Sequence, residues 1–211
     1  MGIAERKERE KGQRHAAIID AAENVFFKKK DMNATMDDVA EEAELSKGTL
    51  YLYFKSKEDL LFAIFLRGSD ILMQLMKEQL KKGKNGYEDL LGLAQAFIEF
   101  SRKYPDYFSL FIRFQSSELE NLNLNKEQLE DYIKNKSPLA LVNQSVEQGI
   151  QDGSLRNDLP VNELSTTLWT QMLGVIIVCH SKRTIHEMFG ITMEKIFETH
   201  IKLVSEGGKR L

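Results

Sequence analysis

Apolar residues recur at steps of three and four along nearly the whole chain, and only 3 prolines interrupt them. This is the spacing of amphipathic helices, not the alternation of strands, so an all-α fold is predicted. "AAIIDAAENVFFKK" sets Ile18, Ala22, Val25 and Phe26 on one face and then meets a polar break, "KDMNAT". "TMDDVAEEA" opens on Thr35 with Asp38 three residues on, the arrangement of a capping box, and Met36, Val39, Ala40 and Ala43 form its buried stripe. A short third helix is predicted to begin at Ser46. A fourth begins at Ser56, where Ser56 and Asp59 repeat the capping pattern.

That fourth helix meets no breaker stronger than Gly68 before "GKNG" at 83–86, which makes it long enough to join two parts of the molecule. Beyond it come "YEDLLGLAQAFIEFSRKY", a stop at Pro105, "DYFSLFIRFQSSEL", a polar loop "ENLNLN", a helix from about Lys126 to Gln151 strained by Pro138, and two final helices. The penultimate one, "VNELSTTLWTQMLGVIIVCHSK", is unusually apolar. In the last, Met193, Ile196, Phe197, His200, Ile201 and Val204 keep the i, i+3, i+4, i+7, i+8, i+11 template. No internal repeat is evident.

Composition narrows the setting. A chain of 211 residues, 42% hydrophobic, can bury the core of one ordinary domain or two smaller ones. Lys and Arg number 29 against 32 Asp and Glu, a net charge of -3, so any surface for a polyanion must be local. Residues 1–14 mix Arg6, Lys7, Arg9, Lys11 and Arg14 with Glu5, Glu8 and Glu10 and lack the apolar run of a signal peptide; they read as a flexible, solvated arm. The longest apolar stretch, Met172 to Cys179, falls far short of the roughly 18 residues of a membrane span, so a soluble, cytoplasmic protein is expected, with no membrane partner. The single cysteine, Cys179, cannot make an internal disulfide, and no Cys and His spacing suits a metal; no cofactor is expected.

The stretch "SKGTLYLYFKSKEDL", 46–60, packs Tyr51, Tyr53 and Phe54 between Lys47, Lys55 and Lys57. On a helix, Leu50 and Phe54 share a face turned to a core, while Lys47 and Tyr51 share another turned outward. Gly48 costs a helix roughly 1 kcal/mol relative to Ala, yet it admits another surface close to the backbone. Such a helix suits the floor of a major groove, with Lys55 and Lys57 against phosphates. Taken singly, the tyrosines equally suit half-buried packing and the lysines a solvated rim. The combination decides: a capped helix, a tight turn and a second short helix make a helix-turn-helix, with small Ala40 where the two cross.

From about Ala16 to Leu61 the sequence resembles the DNA-binding domain of the TetR family of bacterial transcriptional regulators, carried by "IIDAAENVFF" and "TMDDVAEEAELSKGTLYLYFKSKEDLL". The resemblance implies a helix-turn-helix domain over 15–60, joined by the long fourth helix to a larger helical ligand-binding and dimerisation domain over 61–211. It implies a homodimeric repressor that leaves a double-stranded DNA operator when a small molecule binds. By position, the family's base contacts fall on Lys47, Gly48, Thr49 and Tyr51, and its phosphate contacts on Thr35, Tyr53 and Lys57. The sequence departs from the family at Glu44 and Lys30, where glycine is common; a non-glycine residue at positive φ costs about 1 kcal/mol.

Two apolar helices at the end suit a four-helix bundle across a twofold axis, through Leu173, Ile176, Ile177, His180, Met193, Ile196, Phe197, His200, Ile201 and Val204. The other reading of these stripes is packing within one protomer. Twofold symmetry would place two recognition helices about 34 Å apart on a palindromic operator. A hydrophobic effector is expected in a cavity lined by Met73, Phe97, Phe100, Tyr104, Phe108, Phe111, Trp169 and Met172, with Asn143 among the polar partners; the same residues equally suit a plain core. No nucleophile, base and orienter set, phosphate loop or metal set suggests an enzyme. Two alternatives stay open: an activator of the same family, and a helical protein-interaction or architectural protein without specific DNA binding.

Overall fold

The computed structural model describes residues 2–28, 34–80, 82–115, 137–181 and 188–208. Nine α-helices occupy these residues and no strand is found among them: α1 (Ile3–Glu23), α2 (Met36–Glu42), α3 (Lys47–Tyr53), α4 (Lys57–Leu80), α5 (Gly86–Lys103), α6 (Pro105–Gln115), α7 (Pro138–Asp152), α8 (Val161–Ser181) and α9 (Met193–Gly208). The chain divides into two compact units. Among the described residues the first holds 2–68 and 109–115, the second 69–108 and 137–208.

In the first unit α1 starts at Ile3, so residues 3–14, expected as a flexible arm, have helical backbone. The Gly2 amide donates to the Glu5 carboxylate at 2.8 Å and Arg6 pairs with Glu10 one turn on; these local bonds extend the helix through an exposed segment. Past Glu23, α1 widens into one π-helical turn, Asn24–Lys28, whose Val25 and Phe26 are buried. The Thr35 capping box forms as its spacing predicts: the Asp38 amide donates to Thr35 Oγ1 at 3.3 Å and the Thr35 amide to Asp38 Oδ2 at 2.6 Å. Ser46 and Ser56 cap α3 and α4 through the Thr49 and Asp59 amides, at 3.2 and 3.0 Å.

Between α2 and α3 the chain turns through Glu44, at φ +55°, the single positive-φ non-glycine among the described residues. The Leu45 amide donates to Ala40 O and the Glu44 amide to Glu41 O, a Schellman closure in which the second residue past the C-cap, Ala43, closes a six-residue turn. The sequence departure at Glu44 therefore leaves the turn geometry intact and strained. Lys30, the other departure, lies outside the described residues.

The division between units falls at Gly68 and Ser69, past the expected 60/61 boundary, and the second half of α6 belongs to the first unit. Aromatic packing is the reason: Phe62 meets Phe114 edge-on at 5.7 Å, and Phe65 lies 5.6 Å from Phe111 and 5.1 Å from Phe114. Arg67 of α4 pairs with Asp20 at 2.7 Å and Glu23 at 2.9 Å, tying α4 to α1.

In the second unit α5 packs on α7, and α7 and α9 pack on α8. The helix expected from Lys126 begins at Pro138 within the described residues, with proline at the first helical position, where its missing N–H is no loss; 116–136 lie outside them. The start of α5 is clamped by the end of α7. Asp152 Oδ2 accepts from the Gly86 amide at 2.9 Å and Ser154 Oγ from the Tyr87 amide at 3.1 Å, while a Cβ on Gly86 would run into the backbone of Gly149 and Ser145.

Replacing Glu44 with Gly is expected to raise the free energy of unfolding by about 1 kcal/mol, because glycine takes the left-handed conformation without the Cβ clash. Urea unfolding with an unchanged m value would read this; an unchanged midpoint would show that the turn carries no strain.

Candidate functional site

Helix α3 has seven residues, too few to stand alone in water. Burial holds it: Leu50 is fully enclosed and Phe54, the residue that ends the helix, is nearly so, with the His15 ring 4.7 Å from that of Phe54. With this face fixed, the sequence-derived contact residues distribute around the rest. Thr35, Lys47, Gly48 and Lys55 are exposed; Thr49, Tyr51, Tyr53 and Lys57 are half-buried. Open space surrounds Gly48: a Cβ there would meet nothing within 4 Å. Lys55 Nζ donates to the Tyr51 carbonyl at 3.0 Å, and Lys57 lies over the Phe26 ring at 5.4 Å.

Lys47 is engaged. Its ammonium lies 2.8 Å from Asp37 Oδ1 and 2.9 Å from Oδ2, bridging the first turns of α2 and α3, and the hydrogen bond to that carboxylate raises the Lys47 pKa. A carboxylate on this surface opposes a polyanion and competes for the lysine. Leu52 was not anticipated as a surface residue: it is 76% exposed, on the side of α3 away from Leu50.

In the second unit a narrow apolar cavity of about 100 Å³ opens among α4, α5, α7, α8 and α9. Of the expected ligand residues, Phe97, Trp169 and Met172 line it. Phe97 and Trp169 stack at 5.0 Å with their rings 6° from parallel, joining α5 to α8. Met73, Phe100 and Phe108 are buried outside its wall, Tyr104 is half-buried with its ring 5.8 Å from that of Phe100, and Phe111 packs in the first unit. Asn143 is outside the wall too, its Oδ1 buried without a hydrogen bond among the described residues.

Residues from the start of α5 complete the wall, and sequence reasoning passed over them: Tyr87, Leu90, Leu91 and Ala94, at i, i+3, i+4 and i+7. That spacing was a readable signal, overshadowed by the aromatic run that follows it. Three residues expected at a dimer interface, His200, Ile201 and Val204, also line the cavity. Ile176 and Phe197 are buried within the protomer, Phe197 under the Arg102 guanidinium at 5.6 Å. Leu173, Ile177, Met193 and Ile196 are half-buried; the side chain of His180 lies outside the described residues. Apolar side chains of this unit that do face outward are Leu159, Val178, Met188, Phe189, Ile191 and Leu203. Burial raises the Cys179 thiol pKa, which disfavours the reactive thiolate. Among the described residues no cluster of three His, Cys, Asp or Glu could hold a metal, and no helix is long and apolar enough to cross a membrane.

Residues 18–64, the segment carrying this helix-turn-helix, match the family described as bacterial regulatory proteins, tetR family. That segment is a helix-turn-helix of the TetR type. Its relatives include the fatty acid metabolism regulator protein of Bacillus subtilis (strain 168), 26% identical over 154 residues, spanning 72% of this chain and 76% of that protein. Solved structures share the TetR fold. A TetR family transcription regulator from Marinobacter aquaeolei VT8 superposes with a TM-score of 0.66 at 21% identity, covering 96% of this chain and all of that one. The fatty acid degradation regulator FadR from Bacillus halodurans gives 0.66 at 19% identity, over 90% and 93% of the two chains. The TetR relatives and the fold are those of DNA-binding transcriptional regulators, not enzymes.

Two outcomes follow from these charges. Asp37→Asn is expected to tighten DNA binding several-fold at low salt and to steepen its salt dependence, because Lys47 is released to displace counterions; in a Lys47→Ala background the gain should be smaller. Equal binding by Asp37→Asn and wild type would show that the pair does not compete with DNA.

Burial lowers the pKa of His200 and, with help from Arg67 and Lys11, that of His15. Below the ordinary histidine value near 6.5 the unfolded chain then binds protons that the folded chain does not. Stability is full above that pH and falls as pH drops through the window beneath it. Denaturant titrations at pH 7.5, 6.5 and 5.5 should show this slope, reduced in His200→Gln.

Proposed function

We propose that this protein is a TetR-family homodimer that holds a palindromic operator as a repressor and lets go when an amphipathic ligand with a long apolar part enters the second-unit cavity. The observation that carries the DNA half is α3 itself: a short helix anchored by Leu50, with Lys47, Gly48 and Tyr51 turned away from the core in the segment that matches the family. Its partner is double-stranded DNA, its compartment the cytoplasm. Base contacts are assigned to Lys47, Gly48, Thr49 and Tyr51, and phosphate contacts to Thr35, Tyr53, Lys55 and Lys57.

A fatty acyl ligand is supported by two independent facts. Among the described residues the cavity wall holds no carboxylate, lysine or arginine, its polar side chains being Tyr87, His200, Ser205 and the Trp169 indole. A relative is named for fatty acid metabolism. Ligand and DNA are then coupled because the ligand prefers one of two conformations, and it can weaken DNA binding only by that difference in affinity. Continuous α4, with residues in both units, is the mechanical link.

Dimerisation is supported by the outward apolar residues of α8, α9 and the segment before α9. Val178→Glu with Leu203→Glu is expected to give monomers of unchanged helicity that no longer bind the operator, as read by light scattering and circular dichroism. A double variant that remains dimeric would move the interface elsewhere.

The whole reading is tested with DNA from immediately upstream of the gene. Saturable binding that weakens with salt and is weakened further in Lys47→Ala and Tyr51→Ala is expected. Long-chain fatty acids or their coenzyme A thioesters should release the DNA and shift the emission of Trp169, the only tryptophan, which lies in the cavity wall. Release without a change in emission would place the ligand outside this cavity.

A further inference from the structure

We propose that Leu52 reads thymine through its 5-methyl group, adding an apolar contact to the polar ones of α3. This inference rests on the DNA-binding reading and adds a specificity-determining residue to it.

At about 100° per residue, Leu52 stands about 160° around α3 from Leu50, the side chain that anchors the helix in the core. Gly48 lies one turn before Leu52 at i, i+4, on the same outward strip, with nothing within 4 Å of a Cβ placed there. Lys47 and Tyr51 flank that strip on one side, Thr49 and Tyr53 on the other. The middle of the outward face is thus a bare backbone followed by one leucine. At 76% exposure Leu52 is the single large apolar side chain exposed in the first unit among the described residues.

The occupant follows from chemistry. Lys47, paired with Asp37, and Lys55 are exposed on either side of Leu52 along the chain, two cations that phosphates bordering a groove can engage. An isobutyl group gains nothing from phosphate oxygens or from the amino and carbonyl edges of bases. In the major groove the exposed apolar group is the C5-methyl of thymine, which apolar side chains contact directly. Gly48 lets the backbone approach the groove floor, and Leu52, about 6 Å further along the helix axis, is then set against the adjacent base step. Each half-site of the operator should carry a thymine whose methyl group, and not only its hydrogen-bonding edge, is required.

The test separates the methyl group from the rest of the base. Operators are selected from a randomised duplex pool with the wild-type protein. Each thymine is then replaced in both half-sites by deoxyuridine, which lacks only that methyl. At one symmetric position the wild type should lose about fourfold in affinity per half-site, the equivalent of about 0.8 kcal/mol for one buried methyl. Leu52→Ala should bind the thymine duplex correspondingly less well and be indifferent to the substitution there. Lys47→Ala, weakened by loss of a different contact, should keep the thymine preference. Because Leu52 is exposed, Leu52→Ala is expected to match the wild type in helicity and unfolding midpoint.

Leu52→Ala binding as tightly as wild type, or remaining as sensitive to deoxyuridine at every position, would overturn the role of Leu52 and leave the DNA-binding reading standing. Enrichment of no sequence at all would sink the DNA-binding reading and this inference with it.

Discussion

Helix α3 exists because Leu50 is buried. Seven residues recover too few hydrogen bonds to offset the ordering of the backbone, so tertiary burial of Leu50 and Phe54, together with the Ser46 cap, must supply what helix propensity cannot. That one anchored face sets the direction of every other side chain on the helix. Lys47, Gly48, Tyr51 and Leu52 point where they do because Leu50 points inward. The positive φ of Glu44 belongs to the same arrangement, since the Leu45 amide reaches back to Ala40 only if the residue between helix and turn is left-handed.

Electrostatics adds a second condition to this surface. The protein as a whole is acidic, and the lysine at the head of α3 is matched by Asp37 at the head of α2. A regulator that must distinguish one operator from an excess of other DNA gains from such a balance, because counterion release strengthens binding to every sequence alike.

The second unit answers a different demand. Its α5 is held at its start by Asp152 and Ser154, and by the close approach that Gly86 permits, so the following turns carry Tyr87, Leu90, Leu91, Ala94 and Phe97 down one side of the cavity. Hydrogen bonding to Ser154 and to the Gly86 amide lowers the Asp152 pKa, which keeps this clamp ionised at neutral pH. The cavity is apolar because the helices around it turn their wide apolar stripes inward without filling the space between them. The polar groups of its wall are few, and burial lowers the pKa of one of them, His200.

Local signals were sufficient to place the helix starts of the first unit. Capping pairs at Thr35 and Asp38, and the serines at 46 and 56, act over three residues, and the periodic stripe on α2 acts over two turns, so their outcome does not wait on the rest of the chain. The last two helices show where that legibility ends. In α8 nearly every residue from Met172 to Cys179 is apolar, so periodicity cannot say which side is inside; packing sends Ile176 and Cys179 inward and Val178 outward. In α9 the template is clear, yet one apolar stripe serves two surfaces: Phe197 closes the protomer core, and Ile201 and Val204 line the cavity. A stripe records only that a face leaves water. Sequence alone determined the all-helical fold and where the helices of the helix-turn-helix start and turn, because caps and turns rest on bonds between near neighbours; what the apolar faces meet was decided by tertiary packing, because hydrophobic burial is non-directional and its partners come from distant parts of the chain.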